Sequence, residues 1–371
     1  MSYITDIIFR ITYSSLLFFY TGAVTMTDSP ETQYNHVQIC GRTTELLAAT
    51  PCSCGGTFIY DTCRKVSICN NCQRVRRMTS KLQLEPGDVV ADRYKLLKLL
   101  GKGGMGSLFL CAPLDDPEKR FALKTLTNTP NHKASETQQK RLVREAKLLS
   151  SLDHKNIVKV YDAWQDDFST YVLMEYINGS NLEQIKQGGE YDFDEATALQ
   201  IMWLLADALQ YAWETHKILH RDIKPANVMI DEWGHIRLLD FGIAKSLDTT
   251  DTTAVTIQGH GLGTPGYMSP EQFSNQDELN CATDIYSLGA TIYFLLTGKP
   301  PYVGKNVMEI FEQILTGEPV PLHEVNPAIS ENMSMLVAGM LKRHTYERPF
   351  SWKKLKLDID LVAEGKPPKP N

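Results

Sequence analysis

Residues 281–298 read CATDIYSLGATIYFLLTG, and this stretch constrains the fold more than any other. At helical spacing it is apolar nearly all round, so it is a helix buried inside a larger helical body. With 371 residues the chain has room for that body and for one smaller unit, since a single core seldom grows past ~250–300 residues. Hydrophobic content of 43% with 22% charged residues is ordinary for a globular protein and argues against a mainly disordered or collagen-like chain. A net charge of −6 leaves no global positive field to hold nucleic acid or an anionic membrane.

The first 25 residues carry apolar runs broken by Arg10, Ser and Thr, and none is long enough for a spanning helix. Three readings stand: Met26 as the true start, a weak membrane anchor or signal, or an extension. The expected location is cytoplasmic, with weak membrane association through these residues as the alternative. Six of the eight cysteines lie between Cys40 and Cys72. Cys69 and Cys72 are spaced C-x2-C, half of a tetrahedral zinc site. Cys52 and Cys54 precede them, and FIY and VSI between the pairs suit the two arms of a hairpin. The segment resembles a zinc ribbon, which implies one structural Zn2+ held by Cys52, Cys54, Cys69 and Cys72. Its first pair departs from that pattern, so Cys63, Cys40 and His36 are alternative ligands. A module this small has too little apolar area to fold unaided, and a metal supplies the missing energy. Arg74, Arg76 and Arg77 form a small basic patch without interleaved aromatics, which weighs against nucleic acid; it is either a solvated face or a contact for an acidic protein partner.

Pro86-Gly87 marks a boundary, and a patterned stretch follows. Gly101, Gly103 and Gly106 make G-x-G-x-x-G between two apolar strands. A dinucleotide fingerprint wants a helix after its glycines, whereas SLFLCA reads as a strand. Glycines in such a hairpin let backbone lie close over phosphates. Lys124 sits in the short apolar strand FALKTL, and a helix follows at 136–152. Glu145 lies beside the buried stripe of that helix and calls for a cation, with Lys124 the natural partner.

The stretch ILHRDIKPANVMIDEWGHIRLLDFG carries His220-Arg221-Asp222, Lys224, Asn227 and Asp240-Phe241-Gly242. These residues, with GTPGYMSPE at 263–271, resemble the catalytic loop, metal-binding turn and substrate-binding turn of eukaryotic-type protein kinases. The wording DIKPAN and GTPGYMSPEQ is most similar to bacterial Ser/Thr kinases. The resemblance implies an α+β, two-lobed fold: a five-stranded antiparallel sheet with one helix over about 92–178, then a mostly helical lobe to about 362. It implies ATP and Mg2+ (or Mn2+) as cofactors, with Asn227 and Asp240 as metal ligands. Asp222 orients the acceptor hydroxyl, Lys224 reaches the transferred phosphate, and Thr264 braces both. Lys124, fixed by Glu145, binds phosphate oxygens. Adenine lies among Leu108, Ala122, Met174 and Met229, with Glu175 C=O and Ile177 N–H at its edge, and Asn181 faces the ribose. Asp284 accepts backbone N–H bonds under the catalytic loop, and Glu271 pairs with Arg348.

The domain reading is a doubtful extension at 1–25, a cysteine-rich module at 36–80, a linker at 81–91, the kinase domain at 92–362 and a disordered tail at 363–371. The implied function is ATP-dependent Ser/Thr phosphorylation of protein substrates. Autophosphorylation, in a homodimer, is expected on the Thr-rich loop, with Thr253 and Thr256 as leading acceptors and Arg221 as the phosphate's partner. The alternatives are an ATP-binding pseudokinase scaffold and an interaction protein acting through the cysteine module.

Overall fold

The structure, a computed structural model, describes residues 84–103, 106–127, 136–165, 169–189, 191–241, 265–273 and 279–370. Upstream of these, five strands are described by their backbone alone. Strand β1 (Val37–Ile39) pairs antiparallel with β2 (Arg42–Thr44). Strands β3 (Phe58–Asp61), β4 (Val66–Cys69) and β5 (Val75–Arg77) form an antiparallel meander. The hairpin expected from FIY and VSI is its first half, running from Phe58 opposite Cys69 to Asp61 opposite Val66.

The sheet lobe comprises β6 (Val89–Val90), β7 (Tyr94–Gly103), β8 (Gly106–Pro113), β9 (Phe121–Thr127), helix α1 (Glu136–Leu149), β10 (Val160–Gln165) and β11 (Ser169–Glu175). Its strands run in the order β10-β11-β9-β8-β7-β6, every pair antiparallel, and a strand, not a helix, follows Gly106. Strand residues alternate between faces, and β11 uses both. Tyr171 and Leu173 join Leu96, Phe109, Cys111 and Leu123 in one core, capped by Tyr94, Trp164 and Tyr171 in a stack. Val172 and Met174 face the other way, into a core shared with Ala146 and Leu149 of α1 and with the helical lobe. That is why β11 is almost wholly buried, with the apolar run Tyr171–Met174 at its centre.

The sheet has six strands where five were expected. Val89–Val90, assigned to the linker, pairs with Tyr94–Lys95, and Val90 is buried in the same core. The backbone of Gly87 and Asp88 also bonds to Leu96. Burying Val90 removes apolar surface from water, while Val89 stays exposed and adds its backbone to the sheet edge.

The helical lobe contains β12 (Gly179–Asn181), α2 (Leu182–Gly188), α3 (Glu195–His216), a 3-10 turn at Pro225–Asn227, β13 (Val228–Asp231) and β14 (Ile236–Leu238). It continues with α4 (Pro270–Phe273), α5 (Cys281–Thr297), α6 (Val307–Thr316), α7 (Leu322–Val325), α8 (Glu331–Met340) and α9 (Trp352–Ala363). Helix α5 is the apolar stretch that opened the reading, and Cys281 to Leu296 are all buried. Asn280 caps its start, accepting from Ala282 N at 2.9 Å, and Gly298 ends it in the left-handed region at φ 77°. Helices α3 and α8 pack on it, and α9 packs on α3. Each fully buried leucine or isoleucine here contributes roughly 1.5–3 kcal/mol. No helix among the described residues is long and apolar enough to cross a membrane.

The tail expected to be disordered is fastened to α9. Buried Asp358 accepts from Lys354 Nζ at 2.6 Å and from Lys369 N at 3.1 Å, and Lys354 Nζ also donates to Lys369 O at 2.9 Å. Asn332 donates to Gly365 O at 2.9 Å. The Pro/Lys-rich composition hid this, because the anchors are polar groups on two earlier helices.

Candidate active site

The catalytic loop leaves α3 at His216 and returns as the 3-10 turn at Pro225. Along it, Arg221 takes a left-handed backbone at φ 63°, a conformation costly for a residue with a side chain. Asp284, fully buried in the first turn of α5, offsets that cost. Its carboxylate accepts from His220 N at 2.7 Å and Arg221 N at 2.8 Å. Burial pushes the Asp284 carboxyl up, and the two amides act against it. The His220 ring accepts from Asp222 N through Nδ1 at 3.2 Å and reaches Leu239 O through Nε2 at 2.7 Å. A ring that accepts at one nitrogen and donates at the other is neutral. Complete burial agrees, holding the imidazole below its ordinary value of 6.5.

This scaffold presents Asp222. Its Oδ2 accepts from Lys224 Nζ at 2.9 Å and from Asn227 Nδ2 at 2.9 Å, and Asn227 Nδ2 also bonds Asp222 O at 2.8 Å. The Asn227 NH2 group is thus committed to Asp222, which leaves its carbonyl oxygen as a donor for a cation. Beyond β14, Asp240 also has a left-handed backbone, at φ 48°, and Phe241 packs on His220 with ring centroids 4.6 Å apart. Lys124 Nζ lies 2.8 Å from Asp240 Oδ2. The sequence reading puts Lys124 on Glu145; the structure brings its ammonium to Asp240 on the opposite lobe. Glu145 is half-buried on α1. Two carboxylate and carbonyl oxygen donors suit a hard ion such as Mg2+ or Mn2+.

Leu108 and Met229, from opposite lobes, pack against the core that holds Ala122, Met174 and Ile177. The Glu175 carboxylate is fixed by Lys159 N at 3.3 Å and Arg237 at 3.5 Å. Asn181 has a second duty: its Oδ1 accepts from Gln184 N at 2.8 Å and caps α2. Of the three glycines, Gly106 has the steric requirement: at φ 151° a Cβ would lie 1.7 Å from Thr125 O. Gly101 and Gly103 are exposed, with nothing near their missing side chains. A cavity of about 20 Å3 beside Phe241 and Met174 is big enough for one water at most.

Glu271 and Arg348 form a buried two-bond ion pair at 2.7 and 2.9 Å. Sequence reading gave no role to Gln272, whose Nε2 donates to Arg221 O at 2.9 Å. Its spacing from Ser269 suggests only a helix cap; the bond to Arg221 has no sequence signal, because that partner lies 51 residues away. Thr264, Gly242 and residues 249–256 lie outside the described residues, as do Cys40, Cys52, Cys54, Cys63, Cys72 and His36; of Cys69 only the backbone is described. Among the described residues, no group of three or more His, Cys, Asp or Glu side chains is arranged to hold a metal.

An antiparallel sheet lobe facing a helical lobe, with a lysine, two aspartates and an asparagine gathered between them, defines a two-lobed phosphotransferase fold. The chain belongs to the protein kinase family: the family profile described as Protein kinase domain matches residues 94–356. Among curated proteins it is 31% identical over 288 residues to serine/threonine-protein kinase PknB of Mycobacterium leprae, covering 75% of this chain and 44% of that one. It is 34% identical over 284 residues to serine/threonine-protein kinase pkn3 of Myxococcus xanthus, covering 74% and 51%. With PrkC of Bacillus subtilis the figures are 32% over 280 residues, 75% and 42%. The chain thus spans about half the length of these relatives or less. The crystal structure of the Mycobacterium tuberculosis PknI kinase domain matches with a TM-score of 0.61 at 25% identity, covering 76% of this chain and 100% of that one.

Proposed function

We propose that this chain transfers the γ-phosphoryl group of ATP to Ser or Thr hydroxyls of proteins. The observation that carries this is the pair Lys124–Asp240 beside the cluster Asp222, Lys224 and Asn227, joined where Leu239 N, next to Asp240, donates to Asn227 O at 2.8 Å. The acceptor oxygen attacks the γ-phosphorus, the bond to the ADP oxygen breaks, and the hydroxyl proton passes late to Asp222. Charge spreads over the equatorial phosphate oxygens, so alignment and counter-charge dominate the catalysis. Lys124 supplies one positive charge from the sheet lobe and Lys224 another from the helical lobe. Asp240 and the Asn227 carbonyl would hold the metal, whose bound ion adds counter-charge to the phosphates. Lys224 Nζ, 2.9 Å from Asp222 Oδ2, holds that carboxylate in place beside the acceptor. Transfer of labelled phosphate to a protein acceptor, lost in Asp222→Asn and Asp240→Ala, is the test.

The same reading extends to control and to the upstream module. Autophosphorylation between two copies, on Thr253 or Thr256, would give Arg221 a phosphate partner; phosphopeptide mapping locates it. We also propose one structural Zn2+ on Cys52, Cys54, Cys69 and Cys72, from the C-x2-C spacing of Cys69 and Cys72, the close pair Cys52 and Cys54 upstream, and the β3–β4 hairpin in the sequence between them. Thiolate ligation fits a reducing, cytoplasmic setting, and a closed four-ligand site suits docking of a protein partner, not hydrolysis.

A further inference from the structure

We propose that Gln272 is a positioning residue for phosphoryl transfer: its side-chain amide holds the peptide between Arg221 and Asp222 and thereby fixes the catalytic carboxylate. This rests on the phosphoryl-transfer reading above. Gln272 lies in the short helix α4, at the end of the segment that carries the substrate-binding turn. Its Oε1 accepts from Ser269 N at 3.0 Å and from Ser269 Oγ at 3.3 Å. Ser269 is fully buried, so these two bonds set the amide plane from a fixed point. The other end, Nε2, donates to Arg221 O at 2.9 Å.

The bond matters because of what it grips. Arg221 sits in a left-handed conformation that its own side chain disfavours. Such a residue persists only where neighbours over-determine it. Asp284 takes the N–H groups on the near side, of His220 and Arg221. His220 Nδ1 takes Asp222 N on the far side of the Arg221–Asp222 peptide. Gln272 takes the carbonyl of that same peptide, an anchor supplied by the end of the activation segment. Its amide thus ties substrate-side structure to the backbone of Asp222. Small misplacements of a catalytic group cost large factors in rate.

A plainer role exists for Gln272. Ser269 followed three residues later by Gln is a capping box, in which the Gln side chain merely satisfies the helix start. Gln272→Glu separates the two. Glutamate accepts from Ser269 N at least as well and favours a helix start by charge. It has no N–H for Arg221 O and sets oxygen against oxygen there. Gln272→Met, similar in length, removes all three side-chain bonds. The measurements are kcat and KM for Mg-ATP, the thermal midpoint, and hydrogen–deuterium exchange of the peptide covering 218–224, all on the full chain. Gln272→Glu is expected to lower kcat about tenfold or more at unchanged KM for ATP, with a thermal midpoint no lower than that of Gln272→Met. Exchange at 218–224 should quicken in both variants. Wild-type kcat in Gln272→Glu, or unaltered exchange at 218–224 in both variants, overturns the proposal. A wild-type chain with no transferase activity overturns the kinase reading instead, and the exchange result still decides whether Gln272 holds this peptide.

Discussion

Replacing Glu271 by glutamine should destabilise the helical lobe by about 3–5 kcal/mol at pH 7, the usual cost of breaking a buried ion pair on one side. Arg348 is fully buried and spends five N–H groups. Nε donates to Lys342 O; Nη1 to Glu271 Oε1 and Ala282 O; Nη2 to Glu271 Oε2 and Arg343 O, all within 2.9 Å. Its guanidinium also lies 4.9 Å from the Tyr286 ring. With charge centres ~4 Å apart and an effective dielectric of about 20, the attraction is about 4 kcal/mol. Glutamine keeps the oxygen that Thr283 Oγ1 reaches at 2.9 Å, but turns an NH2 group toward a guanidinium N–H. Burial raises the Glu271 pKa, yet the bonds and charge of Arg348 outweigh it, and the net shift is downward from 4.5. A lowered carboxylate adds stability that is full above its unfolded value and is lost as pH falls through the folded one. The penalty of Glu271→Gln should therefore be constant above about pH 5 and shrink in more acid solution. Urea unfolding at several pH values measures it, with Arg348→Met and the double variant closing a cycle. A penalty under about 1 kcal/mol, or strict additivity of the two changes, would refute the reasoning.

Other outcomes follow from the same structure. Leu288→Ala, at a fully buried position of α5, should cost about 2–5 kcal/mol in the same unfolding assay. Neutral His220 should bind its proton more weakly folded than unfolded, so stability falls as pH drops below 6.5, by up to about 1.4 kcal/mol per pH unit. His220→Gln should flatten that slope, as urea titrations at pH 5.5–7 would reveal; an unchanged slope contradicts the neutral assignment. Purified, reduced protein should contain about one zinc per chain by elemental analysis. Ser at Cys69 and Cys72 should remove the metal while leaving phosphoryl transfer largely intact.

Much of this was legible in the sequence because the deciding signals were local. The all-round apolar pattern of 281–298 announced the central helix, and the strand after Gly106 separated this glycine turn from a dinucleotide fold. What escaped depended on contacts between distant residues. Val89 and Val90 look like a linker until Tyr94 and Lys95 fold back beside them. The Pro/Lys tail is ordered by Asp358 and Lys354, whose commitment to it no composition rule reveals. Lys124 could be matched to a carboxylate by need, but which carboxylate depends on how the two lobes meet. Asn181 read as a ribose contact, while its helix-capping bond to Gln184 N needed the helix boundary. Gln272 was invisible because its importance lies in one backbone carbonyl on another loop.

The central claim is tested most directly by incubating purified protein with γ-labelled Mg-ATP and a Ser/Thr-containing protein acceptor. Wild type and Asp222→Asn are compared for label transfer and, by calorimetry, for ATP binding. The account predicts that wild type labels Ser or Thr, and that Asp222→Asn loses transfer by orders of magnitude while binding ATP as before, because Asp222 acts on the acceptor side. Equal transfer by both proteins, or none by wild type that binds Mg-ATP, would contradict it.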